Sequence, residues 1–175
     1  DKYAAVVGFH ITANSRLLAP LIESRSGGIV LKHNFIEGQS RAYDGPQSTG
    51  FEQATAILVH GSQAIIEQNT IAHARTGITL VPTQKSAEGG QYHIISNTIA
   101  RISTNAITAD GSIFMAKKPN VKIVIAGNQI DARGIGLMST YTEMQVSQNT
   151  FGPSEVHAIF VNGIARVSEN VFRGA

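Results

Sequence analysis

Residues 64–71 read Ala64-Ile65-Ile66-Glu67-Gln68-Asn69-Thr70-Ile71, and this pattern occurs six times along the chain with the asparagine as its fixed position. The asparagines are Asn34, Asn69, Asn97, Asn128, Asn149 and Asn170. The position four residues before the asparagine is mixed in character and holds Val30, Ile65, His93, Val124, Gln145 and Arg166. Apolar residues that alternate with such a mixed position predict a strand, and their recurrence predicts a stacked repeat.

Three positions of the repeat are always apolar. The row five residues before the asparagine contains Ile29, Ala64, Tyr92, Ile123, Met144 and Ala165, and the row three before it contains Leu31, Ile66, Ile94, Ile125, Val146 and Val167. The row two residues after it contains Ile36, Ile71, Ile99, Ile130, Phe151 and Phe172. Ala4, Val6 and Ile11 fit these rows when Phe9 takes the asparagine position, which adds a seventh, degenerate copy.

A second strand pattern recurs between the asparagine repeats. It reads Ala56-Ile57-Leu58-Val59, Gly77-Ile78-Thr79-Leu80, Ala106-Ile107-Thr108-Ala109, Ile135-Gly136-Leu137 and Ala158-Ile159-Phe160-Val161, with Ile22 as an earlier member. Each repeat therefore has three strands: this first strand, a second strand that ends at the asparagine, and a third strand after it. One such coil cannot bury its apolar side chains alone, but coils stacked about 4.8 Å apart pair in parallel. The sequence predicts an all-β parallel solenoid, in which asparagines in bends near left-handed geometry hydrogen-bond from coil to coil as a ladder.

Length and composition fit one domain covering residues 1–175. The chain has 42% hydrophobic and 15% charged residues, with 14 basic against 12 acidic side chains, so nucleic acid is a poor candidate partner. It has no cysteine, which excludes disulfides and thiolate metal sites. No apolar run approaches the roughly 18 residues of a membrane span. Because the chain opens at Asp1 without a methionine, we expect a processed product or a fragment of a longer protein.

The repeat texts resemble those of a known family. Ile65-Ile66-Glu67-Gln68-Asn69-Thr70-Ile71 and Thr76-Gly77-Ile78-Thr79-Leu80 look like repeats of the pectin-lyase-like superfamily. This resemblance implies a right-handed, single-stranded parallel β-helix of about seven coils with three short strands each. It also implies that the first strands form the floor of a substrate groove. The superfamily includes lyases, hydrolases, epimerases, phage tailspikes and non-catalytic surface proteins, so the resemblance is informative about fold more than about activity.

The insertions between strands border the first strands. The asparagine bend keeps its length, whereas residues 38–54, 83–91 and 112–120 are insertions rich in turn residues, where binding commonly resides. By alternation, the first outward row of the first strands is predicted to hold Glu23, Leu58, Thr79, Thr108, Gly136 and Phe160. The next outward row is predicted to hold Arg25, His60, Val81, Asp110, Met138 and Asn162. A functional face is therefore expected here.

The best polar cluster on this face combines Arg25, His60 and Glu23. Arg25 and His60 are predicted to lie one coil apart, near Glu23 and beneath the loop that carries Arg41, Tyr43 and Asp44. The competing interpretation is a solvated surface with weak ion pairs. The other histidines considered, His33, His73, His93 and His157, are interpreted as solvated, and no metal or cofactor site is predicted.

Glycoside hydrolysis needs two carboxylates roughly 5 to 10 Å apart. Glu23 and Asp110 are predicted to lie three coils, about 15 Å, apart, although Asp44 could approach Glu23. The aspartate clusters expected of pectate lyases and polygalacturonases are missing. A lyase or C5-epimerase needs only a base and a group that stabilises the resulting anion. His60 would be the base, Arg25 or Arg41 the neutralising cation and Tyr43 the proton donor, although the Asp-Pro-His-Asp signature expected of alginate epimerases is absent.

Two functions follow as alternatives. In the first, an extracellular, periplasmic or cell- or virion-surface protein binds an acidic polysaccharide on this face, with processing of lyase or epimerase type as a further option. Glu23, Arg41, Asp44, Thr79, Thr108 and Asp110 are its predicted substrate-binding residues. In the second, the chain is a non-catalytic rod like an adhesin or tailspike. The apolar Leu58, Val81, Met138 and Phe160 would favour a binding or packing surface over a wet catalytic cleft. Open strand edges predict oligomers or further domains at the ends.

Overall fold

The computed structural model describes residues 3–13, 19–25, 27–38, 55–82, 90–111 and 121–174, and within these ranges every regular element is a β-strand. In chain order the strands are β1 (Tyr3–Val7), β2 (His10–Thr12), β3 (Ile22–Ser24), β4 (Gly28–Lys32), β5 (Phe35–Glu37), β6 (Thr55–Val59), β7 (Gln63–Glu67), β8 (Thr70–Ala72), β9 (Thr76–Leu80), β10 (Gln91–Ile95), β11 (Thr98–Ile102), β12 (Asn105–Asp110), β13 (Lys122–Ala126), β14 (Gln129–Ala132), β15 (Ile135–Ser147), β16 (Thr150–Phe151), β17 (His157–Ser168) and β18 (Val171–Phe172). No helix in this part of the chain has the length and apolarity of a membrane span.

The strands form three parallel stacks, each strand pairing with its counterpart in the next repeat. The third-strand stack is a seven-stranded sheet in the order β18-β16-β14-β11-β8-β5-β2. The second-strand stack contains β1, β4, β7, β10, β13 and the C-terminal parts of β15 and β17. The first-strand stack contains β3, β6, β9, β12 and the N-terminal parts of the same two long strands. Because β15 and β17 belong to both, these two stacks form one curled eleven-stranded sheet.

The predicted inward rows pair in register and are buried. Ile29, Ala64, Tyr92, Ile123 and Met144 follow one another up the second-strand stack, as do Leu31, Ile66, Ile94, Ile125 and Val146. They pack in one cluster with Ile36, Ile71, Ile99, Ile130 and Phe151 of the third-strand stack and with Ile57, Ile78, Ile107 and Leu137 of the first-strand stack. The hydrophobic rows read from the sequence therefore form the core, as predicted.

The asparagines form a continuous hydrogen-bonded ladder. Each backbone N–H donates to the Oδ1 of the next asparagine at 2.8 to 3.0 Å, from Asn34 through to Asn170. Each Nδ2 of those five donors reaches the same oxygen, and it also donates to a main-chain carbonyl of the preceding coil. The N–H of Phe9 donates to Asn34 Oδ1 at 3.0 Å, which confirms that Phe9 takes the asparagine position of the first copy.

The left-handed residue of the bend is the one before the asparagine, which corrects the expectation that the asparagine itself adopts this geometry. Positive φ angles occur at Gly8, His33, Gln68, Ser96, Gly127, Gln148 and Glu169. The preceding residue turns the chain, and the asparagine is required for the paired acceptor and donor that its amide presents along the stack.

The prediction of the outward rows is wrong at one coil, the one that contains β15. Leu137, rather than Ile135, continues the inward row of Ile107, so Met138 pairs with Thr108 and Thr140 pairs with Asp110. Gly136 therefore leaves the first outward row, and Met138 leaves the second. A slip of two residues keeps every side chain on its face, so alternation alone cannot detect it.

Candidate functional site

The structure brings Glu23, Arg25 and His60 together at the first-strand face. Glu23 lies on β3, Arg25 follows that strand, and His60 follows β6 one rung away. The His60 N–H donates to the carbonyl of Ser24 at 2.6 Å, which continues the parallel pairing past the strand ends. The predicted neighbourhood of these three side chains is confirmed, and we call them the Glu23 cluster.

Within the Glu23 cluster, the carboxylate is the central group. Arg25 Nε donates to Glu23 Oε1 at 2.8 Å and Arg25 Nη2 donates to Glu23 Oε2 at 3.2 Å, so the guanidinium binds both oxygens. His60 Nε2 lies 3.9 Å from Glu23 Oε1 on the adjacent strand. The hydrogen bond from Arg25 is the largest cause that lowers the pKa of Glu23, and the charges of Arg25 and His60 act in the same direction against partial desolvation. Glu23 is therefore ionised at neutral pH.

This geometry limits what the cluster can do chemically. The Arg25 side chain is 81% exposed and can be reached by a ligand, but its charge already faces Glu23. Its capacity to neutralise the carboxylate of a uronate is correspondingly reduced, because Glu23 stays beside it as a like charge. The cluster suits recognition of a polar ligand better than stabilisation of a developing anion, which requires a donor aimed at the new charge.

The other predicted binding residues lie further up the same stack. Thr79 pairs with Leu58 on one side and Thr108 on the other. Asn105 Nδ2 donates to the Thr108 hydroxyl at 3.4 Å. The row from Glu23 to Thr108 spans β3, β6, β9 and β12, which confirms the predicted separation of Glu23 and Asp110 by three rungs.

Asp110 has a partner that the sequence analysis missed. The Thr140 hydroxyl donates to Asp110 Oδ1 at 2.9 Å. The register predicted from Ile135 puts Met138, instead of Thr140, beside Asp110. The correct register could not be found from turn residues, because β15 runs without a break from the first-strand stack into the second-strand stack.

The expected apolar floor is only partly exposed. Leu58 lies on the outward side of β6 but is 2% exposed, so its predicted exposure is wrong. Phe160 of β17 is exposed as predicted, whereas Val81 and Met138 are half-buried. Alternation identifies the face of a residue but not what covers that face.

The predicted loop residues Arg41, Tyr43 and Asp44 lie outside the described residues. The same holds for most of the three insertions. Their roles as cation, proton donor and substrate-binding group therefore remain predictions.

A second polar row lies at the edge of the third-strand stack. His10 Nε2 lies 3.9 Å from Glu37 Oε2, and Glu37 Oε1 lies 3.8 Å from His73 Nε2. Arg101 Nη1 lies 3.0 Å from His73 Nε2. The prediction of His73 as merely solvated missed these contacts. Of the three, only the contact with Arg101 involves the bulge in β11, where Arg101 is left-handed. The positive φ of His73 has no marker in the sequence.

Arg25→Ala should raise the pKa of Glu23 toward its ordinary value near 4.5, because the largest cause of the lowered pKa is removed. A lowered carboxyl pKa contributes stability above the unfolded pKa and loses it as the pH falls through the folded pKa. Wild type should therefore exceed the variant in stability above about pH 4.5, and the two should converge in more acidic solution. Carboxyl NMR titration of Glu23 measures the shift.

Arg133→Ala is the matched control for this titration, since Arg133 forms a similar exposed ion pair with Glu155 at 2.8 Å. It should leave the Glu23 titration unchanged. An unchanged Glu23 pKa in Arg25→Ala would contradict the assigned cause.

Metal ligation receives no support from the arrangement of side chains. Within the described ranges, no group of three or more histidine, aspartate or glutamate residues is placed to hold a metal ion.

Comparison of the chain with protein families, with curated proteins and with solved structures returned no match.

Proposed function

We propose that this chain is a polysaccharide-binding β-helix whose first-strand face carries the binding site. The observation that carries the proposal is the Glu23 cluster, in which a cation, a carboxylate and an imidazole share one accessible patch. Sugars are recognised through hydroxyl groups that need both donors and acceptors, and charged partners give the stronger hydrogen bonds. The patch supplies both kinds of partner.

The finer fold belongs to the same proposal. The three stacks would close into a right-handed parallel β-helix of about seven coils, like the pectin-lyase-like superfamily that the sequence resembles. Support comes from the core cluster, which joins inward rows of all three stacks, and from the general right-handedness of crossovers between parallel strands. An extracellular, periplasmic or surface location would suit such a binder.

An acidic polysaccharide is the favoured ligand class. Arg25 carries a planar guanidinium, a group that binds carboxylates, and its side chain is 81% exposed. A uronate would approach its exposed side, while Glu23 accepts hydrogen bonds from sugar hydroxyls. Thr79, Thr108 and Asp110 would extend these polar contacts along the stack.

Processing of the bound polymer is the weaker part of the proposal. For a lyase or epimerase, His60 would take the proton next to the uronate carboxylate, Arg25 or Arg41 would neutralise that carboxylate, and Tyr43 would donate a proton. The contact between His60 Nε2 and Glu23 would orient the imidazole. Binding ranks ahead of catalysis because Arg25 is engaged with Glu23.

A structural rod is the second candidate, and the C-terminal end of the stack favours it. Val167 and Phe172 continue inward rows that are buried in earlier coils, yet they are 49% and 54% exposed. Exposed apolar rows of this kind can pack against another strand layer, from a second copy or a further domain. A rod of this kind would act through its length and its ends rather than through the Glu23 cluster.

Binding should be measured calorimetrically with polygalacturonate and alginate, and with neutral dextran for comparison. Arg25→Ala and His60→Ala should each lower affinity for the acidic polymer about tenfold, and added salt should weaken binding because exposed charges are screened. Arg133→Ala, which removes an exposed and paired arginine elsewhere, should have little effect. Ultraviolet absorbance of unsaturated chain ends would report lyase turnover.

The outcomes separate the candidates. Full affinity after both Arg25→Ala and His60→Ala would remove the site from this face. Absence of binding to every polymer would leave the rod as the better interpretation. Binding without new chain ends would establish a binder that is not a lyase.

A further inference from the structure

A groove lies on the outward face of the second-strand stack, away from the Glu23 cluster. Its volume is about 160 Å³, and its lining includes Lys122 and Val124 of β13, Glu143 and Gln145 of β15, and Arg166 of β17. Lys122 pairs in register with Glu143, and Gln145 pairs with Arg166. Four polar side chains on three consecutive strands therefore converge around one depression.

These four side chains are not engaged with the described part of the protein. Some charged groups elsewhere on the surface do pair with each other, as Lys32 does with Glu67 at 2.7 Å and Arg133 with Glu155 at 2.8 Å. The side chains of Lys122, Glu143, Gln145 and Arg166 make no hydrogen bond or ion pair with any residue that the structure describes. Two cations, an amide and a carboxylate thus face one groove with their hydrogen-bonding capacity unused by the residues that the structure describes.

The arrangement of charge selects the chemistry of a ligand. Lys122 and Arg166 lie two strand spacings apart, about 10 Å along the stack, with Glu143 and Gln145 on the strand between them. A ligand with anionic groups at both ends and hydroxyl groups in the middle satisfies all four. A plain polyanion would place negative charge against Glu143, and the described residues of the lining include no aromatic side chain on which a nucleobase could stack.

We propose that this groove is a second binding site for an acidic saccharide, in which Lys122 and Arg166 bind acid groups and Glu143 and Gln145 bind the hydroxyls between them. The volume is below the roughly 300 to 1,000 Å³ of pockets that enclose a drug-sized ligand, so the groove takes a short segment of a chain lying across the stack. The proposal shares its ligand class with the proposed function but does not depend on the Glu23 cluster.

Binding of a galacturonate oligosaccharide, followed by calorimetry and by amide NMR shifts, tests the groove. Lys122→Met and Arg166→Gln should each lower affinity about tenfold, the equivalent of one charge-assisted hydrogen bond. Arg133→Gln removes the same charge outside the groove and should leave affinity unchanged. Shifts in β13, β15 and β17 should accompany binding and be lost in the double variant.

Glu143→Gln distinguishes a saccharide from a simple anion. It should weaken binding of the oligosaccharide, because a charged acceptor for hydroxyls is replaced by a weaker one, and strengthen binding of poly-glutamate, because a repulsive charge is removed. Stronger binding of both probes would overturn the saccharide assignment.

The experiments can overturn the proposal of the groove and the proposal of the Glu23 cluster independently of each other. Loss of binding in Arg25→Ala and His60→Ala, with full affinity in Lys122→Met and Arg166→Gln, would overturn the groove and leave the proposed function standing. The reverse pattern would support the groove and overturn the Glu23 cluster as the site. An equal loss in Arg133→Gln would show attraction to general positive charge and overturn the groove.

Discussion

Asn97→Ala should lower the free energy of unfolding by about 2 to 6 kcal/mol, since two buried main-chain groups lose their partners at about 1 to 3 kcal/mol each. Asn97 is 1% exposed and lies in the middle of the ladder. Its Oδ1 accepts the Asn69 N–H at 2.9 Å, and its Nδ2 donates to the Ile66 carbonyl at 2.8 Å. Water has no access to replace the lost amide. Urea unfolding followed by circular dichroism measures the effect.

Asn170→Ala is the matched control at the end of the ladder. Asn170 makes the same pair of contacts, accepting the Asn149 N–H and donating to the Val146 carbonyl, each at 2.9 Å. It is only half-buried, so water can hydrate the groups left behind, and the cost should be about 1 kcal/mol. Equal losses in the two variants would contradict burial as the reason that the ladder stabilises the stack.

Ile94→Ala should cost about 2 to 5 kcal/mol, because it removes three carbons from a packed interior and leaves a cavity. Ile94 is fully buried and pairs in register with Ile66 below and Ile125 above. Both neighbours are held by parallel pairing, so they cannot collapse into the space. Ile94→Val should cost about 0.5 to 1.5 kcal/mol.

Ile95→Ala tests the same chemical change on the other side of β10. Ile95 follows Ile94 directly, points outward and is only half-buried. Its loss should be well below that of Ile94, again by urea unfolding. A comparable loss at both positions would mean that the inward rows do not define the core.

The fold was readable because one residue marks every repeat. The asparagine aligns three apolar rows, and even the substitution at Phe9 keeps its backbone hydrogen bond to Asn34. The slip at Ile135 was not readable, because Ile135-Gly136-Leu137 fits the alternation in two registers and no asparagine lies within that strand. The sequence also places the left-handed residue of the bend at the asparagine, one position too far along the chain. The asparagine is the residue that recurs, because its side chain makes the ladder hydrogen bonds, whereas the left-handed backbone belongs to the variable residue before it.

The Glu23 cluster was predictable because alternation and rung spacing suffice to bring Arg25, Glu23 and His60 together. The row of His10, Glu37, His73 and Arg101 was not, because it depends on long side chains that reach between rungs and, at Arg101, on a bulge in β11. The groove beside Arg166 requires knowledge of which charged groups remain unpaired. Partner choice among exposed side chains follows from rotamers and distances, which a repeat pattern does not encode.

The parallel pairing of three stacks also decides how this protein responds to force. Hydrogen bonds between strands, and the ladder from Asn34 to Asn170, run along the stack axis rather than across it. A pull along that axis loads the contacts of one rung interface after another, so coils would peel in sequence instead of shearing together. Strands β2 and β18 are each joined to a neighbour on one side only, so the coils that contain them would detach before the inner ones. When the chain is pulled from its ends, its length would therefore increase in steps, one coil at a time.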